Sequence, residues 1–332
     1  MGTVWRLQTR TDSKDGKKIS KYCLDHKVAA LGWSIKDDHI NKYNPESITE
    51  IQEKRKKIKN IEGYYDVVRT YGLYGINNKK RLIAVDMLLE VEKGDYIWMR
   101  DNGIYYLGYV GDKLRYKYNS RNKALEHDAA NQIKGVVWKP IGDESQVPGA
   151  VATAFIRGRT IQRMNKSHMF EYAEYAFWGN PMVLENSNEA YLQQLFYNCL
   201  SPSDCEDLVC LYLYDKANYI AIPSTNKIAT ELYECVLVNP ETGMFAYPQV
   251  KKGNVDLNFA NYIDLVDNHK RNKEVYLFTS EGMIDKSTIQ SDFIHIITAK
   301  ELYLWVKSKI GSKCYLIPEG IVKWYKLIHS SK

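Results

Sequence analysis

The sequence predicts an α+β protein of two domains: a small, closed or strongly curved β domain over about residues 1–165, then a compact mixed sheet flanked by helices over 180–332. Three observations predict it. The chain has 332 residues, room for two domains of roughly 100–200 residues each. Short strand-like segments punctuated by turn residues dominate its first half. Beyond residue 180 the texture changes to an α-β-β-β-α-β order, which describes one sheet covered by helices.

In the first half, Val4–Leu7 reads as a strand, the polar stretch Asp12–Lys18 as a turn, and Val28–Ser34 as a second strand. Ser47 to about Lys59 turns helical, with Ile48, Ile51, Arg55 and Ile58 at helical spacing. Its basic run Lys54-Arg55-Lys56-Lys57 is either a solvated helix face or a DNA contact. Gly94–Arg100 and Gly103–Val110 form a hairpin, because Asp101-Asn102-Gly103 tolerates positive φ. More strand follows at Lys113–Tyr118 and Gly135–Trp138, and Val151–Phe155 is amphipathic. One or two helices are expected in this half. In the second half, helices are predicted over Glu189–Cys199 and Asp204–Asp215, and strands at Tyr219–Pro223, Leu232–Val238 and Phe245–Lys251. A helical stretch over Phe259–Val266, strands Glu274–Thr279 and Phe293–Ile297, and a helix opening at Thr298 complete the pattern.

With 45% hydrophobic and 26% charged residues the chain is neither disordered nor fibrous. No run approaches the roughly 18 apolar residues that span a bilayer, and Met1–Arg10 lacks a signal-peptide core, so a cytoplasmic location without membrane contact is expected. The six cysteines form no C-x-x-C pair and are expected to be reduced, with neither structural zinc nor disulfides. A net charge of +6 is compatible with a polyanionic partner without requiring one.

The stretch that carries chemistry is Leu232–Val238, a Pro240-Glu241-Thr242-Gly243 turn, and Met244–Lys251. Alternation along a strand puts Gln249 and Lys251 on one face, and the turn returns Glu234 beside them. A carboxylate, an amide oxygen and an ammonium together suit metal-assisted phosphodiester hydrolysis. Mg²⁺, with Mn²⁺ as a substitute, is held by oxygen ligands, and the lysine orients water and offsets charge. Glu206 adds a second acid, on a helical face with Val209, Cys210 and Leu213. Two helix starts compete: a Ser203–Glu206 capping box would occupy Glu206, whereas Ser201 as N-cap with Pro202 at the first position leaves it free.

At these residues the sequence resembles the PD-(D/E)XK nuclease superfamily, and within it the Mrr-type restriction endonucleases whose last motif reads Q-x-K. The resemblance covers roughly Ser203–Ile297. It implies that Glu206 is the acid of the first core helix, Glu234 the central metal-binding acid, and Gln249 with Lys251 the final half-motif. Metal would then fall to Glu206, Glu234 and Gln249. Two departures stand out: the central acid is glutamate where the family usually has aspartate, and no proline precedes it. Glu231 is therefore a rival for that role.

Gly32-Trp33-Ser34, the Gly94–Arg100 strand and Val137-Trp138-Lys139-Pro140 resemble the PUA-like barrels of the EVE and YTH kind, in texture more than in identities. Such domains imply a modified base or nucleotide held in an aromatic pocket, for which Trp33, Trp98 and Trp138 are the candidates; for any one of them taken singly, filling a barrel core is the favoured reading, since large aromatics usually occupy such interiors. Arg157, Arg159 and Arg163 would contact phosphates or face solvent. The combined expectation is a modification-dependent DNA endonuclease of the restriction and anti-phage defence type. It would act on double-stranded DNA carrying a modified base, with Mg²⁺, as a homodimer by family analogy. A nuclease gated by a nucleotide signal and an inactive nucleic-acid-binding protein are the alternatives.

Overall fold

The computed structural model describes residues 2–9, 18–75, 78–156, 158–166, 168–182, 184, 188–227, 232–266, 272–287, 291–312 and 314–329. Two compact units divide the chain, Met1–Val147 with Val151–Asn180, and Pro148–Ala150 with Pro181–Lys332.

The first unit holds strands β1 (Val4–Leu7), β2 (Val28–Leu31), β3 (Tyr96–Asp101), β4 (Ile104–Tyr118), β5 (Asn131–Gly142) and β6 (Ile161–Arg163). They form one sheet in the order β2-β5-β4-β3-β1-β6, antiparallel except where β1 runs parallel to β3. Among the described residues β2 and β6 do not pair, so the sheet is open and the expected barrel does not close. The burial of β3 gives the physical reason. Tyr96, Ile97, Trp98 and Met99 are all buried, whereas a small barrel would leave alternate residues facing water. Ile97 and Met99 join a core with Tyr22, Ile51, Tyr64, Val68, Val85 and Leu88 from helices that cover one face. On the other face Tyr96 and Trp98 meet Phe170, Tyr172 and Phe177 of the Met169–Trp178 helix.

Sequence reasoning foresaw one or two helices here, and the unit has more. Besides Ile48–Lys57, which lies within the predicted span, it contains Ile19–His26, Asp37–Tyr43, Ile61–Thr70 and Asn78–Leu89. Ile19–His26 and Asp37–Tyr43 are short and have no side-chain N-cap bond, so nothing announces their starts. The Asp12–Lys18 turn lies, apart from Lys18, outside the described residues. Three of the four residues of the basic run have acidic partners. Lys54 pairs with Glu50 and Lys56 with Glu53, while the buried Arg55 pairs with Asp37 and donates to the Ile35 carbonyl.

The second unit holds β7 (Ile220–Ala221), β8 (Leu237–Val238), β9 (Phe245–Lys251), β10 (Leu257–Asn258), β11 (Lys273–Thr279), β12 (Ile284–Asp285) and β13 (Ile294–Ile296). Its main sheet runs β13-β11-β9-β8-β7; β7, β8 and β9 are antiparallel, while β9, β11 and β13 are parallel. Between β9 and β11 the chain crosses over through β10 and a short helical stretch, the 3-10 turn Phe259–Tyr262 continuing into the α-helix Ile263–Val266, as the sequence predicts. β8 is shorter than the predicted Leu232–Val238. β8 faces Phe245 and Ala246; further along β9, Pro248 has no N–H to give the ladder, and among the described residues the Glu234 N–H, donating to the Pro248 carbonyl at 2.9 Å, carries the pairing on. Tyr247, Val275 and Leu277 pack with Phe259 and Tyr262. Phe278 meets Tyr197 of the Glu189–Cys199 helix.

Candidate functional site

In the second unit the site begins at the Pro202–Ala217 helix. Ser201 is its N-cap: the Ser201 hydroxyl accepts from the Asp204 N–H at 3.1 Å, and the Asp204 carboxylate accepts from the Ser201 N–H at 2.7 Å. Asp204 also accepts from the Gly149 N–H at 3.1 Å. The cap role thus falls to Asp204, and Glu206 is released from it. On the same face Val209 and Leu213 are buried and anchor the helix. One turn after Glu206, the Cys210 sulfur lies 3.6 Å from that of Cys235, the residue after Glu234. That contact with Cys235, together with burial, holds the Cys210 thiol protonated. It also brings the two acids to one place, a link that spacing did not announce.

Glu234, Lys251 and Glu206 form one charge cluster. The Lys251 ammonium lies 3.3 Å from the Glu234 carboxylate, with both side chains part-exposed. Burial, then the nearby Glu234 charge, raises the pKa of Glu206, and Lys251 partly offsets this. Gln249 is on the same strand and buried, 1% exposed. Burial raises the Tyr262 hydroxyl pKa, the nearby Gln249 amide lowers it, and the Glu234 charge raises it again, which places this tyrosine near both residues. Sequence reasoning missed Tyr262, which lies in a crossover with no motif. Lys251 stands at the C-terminal end of β9, opposite Thr279 of parallel β11, where open sheets commonly place ligands. Lys252 is structural: its ammonium donates to the Asn198 and Leu200 carbonyls at the end of the preceding helix. The rival acid Glu231 lies outside the described residues. Among the described residues no three His, Cys, Asp or Glu side chains form a metal-holding group on their own.

The three tryptophans of the first unit have separate fates. Trp98 is 0% exposed and belongs to the core. Trp138 is half-buried, and its indole N–H donates to the Val28 carbonyl at 2.9 Å. Trp33 lines an open cavity of about 400 Å³ with Met87, Ile83, Arg159 and Ile161. Its backbone takes the left-handed conformation, φ 69°, uncommon for a bulky residue. Several buried groups hold it there. The Trp33 carbonyl accepts from the Tyr64 hydroxyl and the Asn131 amide, the Ser34 carbonyl accepts from the Tyr74 hydroxyl, and the Tyr118 hydroxyl accepts from the Ile35 N–H. Strain maintained by so many bonds points to a purpose for the loop. Of the candidate arginines, Arg159 lines this cavity and Arg163 is engaged with Glu90 and the Trp5 ring. Arg157 lies outside the described residues.

No family model matches the chain, and no curated protein does. Among solved structures it is similar to the DNA modification-dependent restriction endonuclease AspBHI, at 13% identity over 76% of this chain and 72% of that one, with a TM-score of 0.20. A TM-score that low is below what a shared fold gives, so any functional reading rests on the side chains themselves. No helix among the described residues is long and apolar enough to cross a membrane.

Proposed function

We propose that the protein is a metal-dependent DNA endonuclease whose first unit reads a modified base. The observation that carries the reading is the convergence of Glu206, Glu234 and Lys251 beside Gln249 at the end of β9. Two carboxylates and an amide oxygen are hard oxygen donors, the kind that takes Mg²⁺ with several of its waters retained. They are the residues that would hold it, and Mg²⁺ when bound supplies positive charge against the phosphate. Lys251 orients the attacking water and offsets the negative charge that builds on the phosphate. Glu234 holds the Lys251 ammonium in place.

The reader assignment is supported by the Trp33 cavity. One aromatic wall, an apolar floor and Arg159 at about 400 Å³ suit an extruded base with its phosphate. The same combination suits a free nucleotide, which is the second reading. Cleavage of matched plain, methylated and hydroxymethylated duplexes, with and without Mg²⁺ and with nucleotides added, tests both. Metal-dependent cutting that favours one modified duplex supports the proposal. No cutting of any duplex overturns it, and cutting that requires an added nucleotide moves the cavity to the second reading.

Trp33→Ala is expected to stay folded and to lose about 1–3 kcal/mol of binding to the preferred duplex, the worth of one base-stacking partner. Its discrimination against plain DNA falls with it. Trp98→Ala, by contrast, empties core volume and costs about 3–5 kcal/mol of stability. Competition binding and thermal melting on the two variants check the pair; a Trp33→Ala protein with unchanged discrimination removes the cavity from recognition.

A further inference from the structure

A second surface of the first unit carries positive charge that the fold does not neutralise. β4 and β5 pair through a register shift between Val110 and Arg115, and beyond it Arg115 lies directly opposite Lys134, with Lys117 one step along the same face. Like charges directly opposite one another on a sheet destabilise it. Beside this pair lies an open groove of about 840 Å³, lined by Lys27, Lys113, Arg115 and Lys134 with His26. Among the described residues that line it the one acid, Asp112, is taken up by Lys93 at 2.5 Å. Among the described residues none of Lys27, Lys113, Arg115, Lys117 and Lys134 has an acid within ion-pair distance, in contrast to Lys54, Arg55 and Lys56 on the Ile48–Lys57 helix. The crowding is felt at Lys134, whose pKa is lowered first by desolvation and then by Lys117, Arg115 and Arg121.

We infer that this groove is a track for the phosphate backbone of double-stranded DNA, with Arg115 and Lys134 as its centre and Lys27, Lys113 and Lys117 along it. The assignment rests on the proposed function for the choice of DNA, and on the charge for the rest. A strand pair that keeps facing cations without acids has a reason to do so if a polyanion supplies the missing charge. The groove is concave, and of the lining residues only Val137 is a strongly exposed apolar side chain, 53% exposed. That argues against insertion into a lipid surface, which needs an apolar face as well as a basic one.

The test uses the full-length protein in EDTA, so that binding is read without cleavage. A fluorescent unmodified duplex of about 30 base pairs is titrated between 50 and 250 mM salt, with probe length and salt range chosen to expose the slope that each phosphate contact contributes. Arg115→Ala/Lys134→Ala is expected to weaken binding about tenfold or more at low salt. It should flatten the plot of log affinity against log salt by about 1.8, two contacts at about 0.9 each. Lys117→Ala flattens it by about 0.9, and Lys54→Ala/Lys56→Ala, which removes cations already paired with Glu50 and Glu53, leaves it unchanged as the control. The double variant melts no lower than wild type, because it loses a repulsion. Unchanged slope and affinity in the double variant overturn the track, as does a lowered melting temperature, or binding of phosphatidylserine vesicles in preference to the duplex. If the track variants lose DNA while no duplex is ever cut, the track stands and the nuclease reading falls. If wild type cuts DNA and the double variant binds it normally, the reverse holds.

Discussion

Lys251→Ala is expected to lose cleavage by about 10²–10³-fold, the usual effect of removing one preorganised charge from a reacting oxygen, while DNA binding and folding stay near wild type. The separation follows from the position of the side chain. Lys251 ends β9 part-exposed, and its contact is an ion pair at 3.3 Å with a part-exposed Glu234. Pairs of that kind contribute about 0–1 kcal/mol to stability, so the melting temperature should hardly move. Its removal also deletes a positive charge that offsets the raised pKa of Glu206, and residual activity should therefore shift to higher pH. Single-turnover cleavage against pH, with anisotropy binding in EDTA, makes the measurement. Cutting at the wild-type rate, or loss of cutting that merely tracks loss of fold, would remove Lys251 from the chemistry.

How much of this was legible in the sequence depends on whether a feature is set by neighbours in the chain or by register. The Glu189–Cys199 helix and β9 have the bounds read from sequence, because caps, turn residues and apolar spacing are local. The helix start at Ser201-Pro202 was one of two local choices. It was decided by Asp204, which closes the capping box and reaches Gly149 far away in the chain. The open sheet of the first unit was not legible, since a strand such as Tyr96–Met99 reads as apolar whether one helical layer or two cover it. Nor was the left-handed Trp33, which depends on tyrosines 31 to 85 residues away. The facing of Arg115 and Lys134 arises from a register shift that no spacing rule contains.

The second large effect joins chemistry to stability at Glu206. Burial and the Glu234 charge raise its pKa in the folded state, so the folded protein binds this proton more firmly than the unfolded chain does. The contribution to stability is therefore full below the ordinary glutamate range near about 4.3 and is lost as pH rises through the raised value. At pH 7.5 the ionised carboxylate is a net cost to the fold in the absence of a cation. Glu206→Gln removes that charge, keeps the shape, and cannot disturb the helix cap, which Asp204 makes. In EDTA the variant is expected to melt a few degrees above wild type at pH 7.5 and at the same temperature near pH 4, where wild type is protonated as well. Its cleavage falls about 10²-fold or more, as for loss of one charge in a site with few carboxylates. Added Mg²⁺ raises the melting temperature of wild type, by mass action on the folded state, and raises that of the variant less. A residue placed for packing alone gives the opposite set: a lower melting temperature at both pH values, no difference in the response to Mg²⁺, and cutting at the wild-type rate.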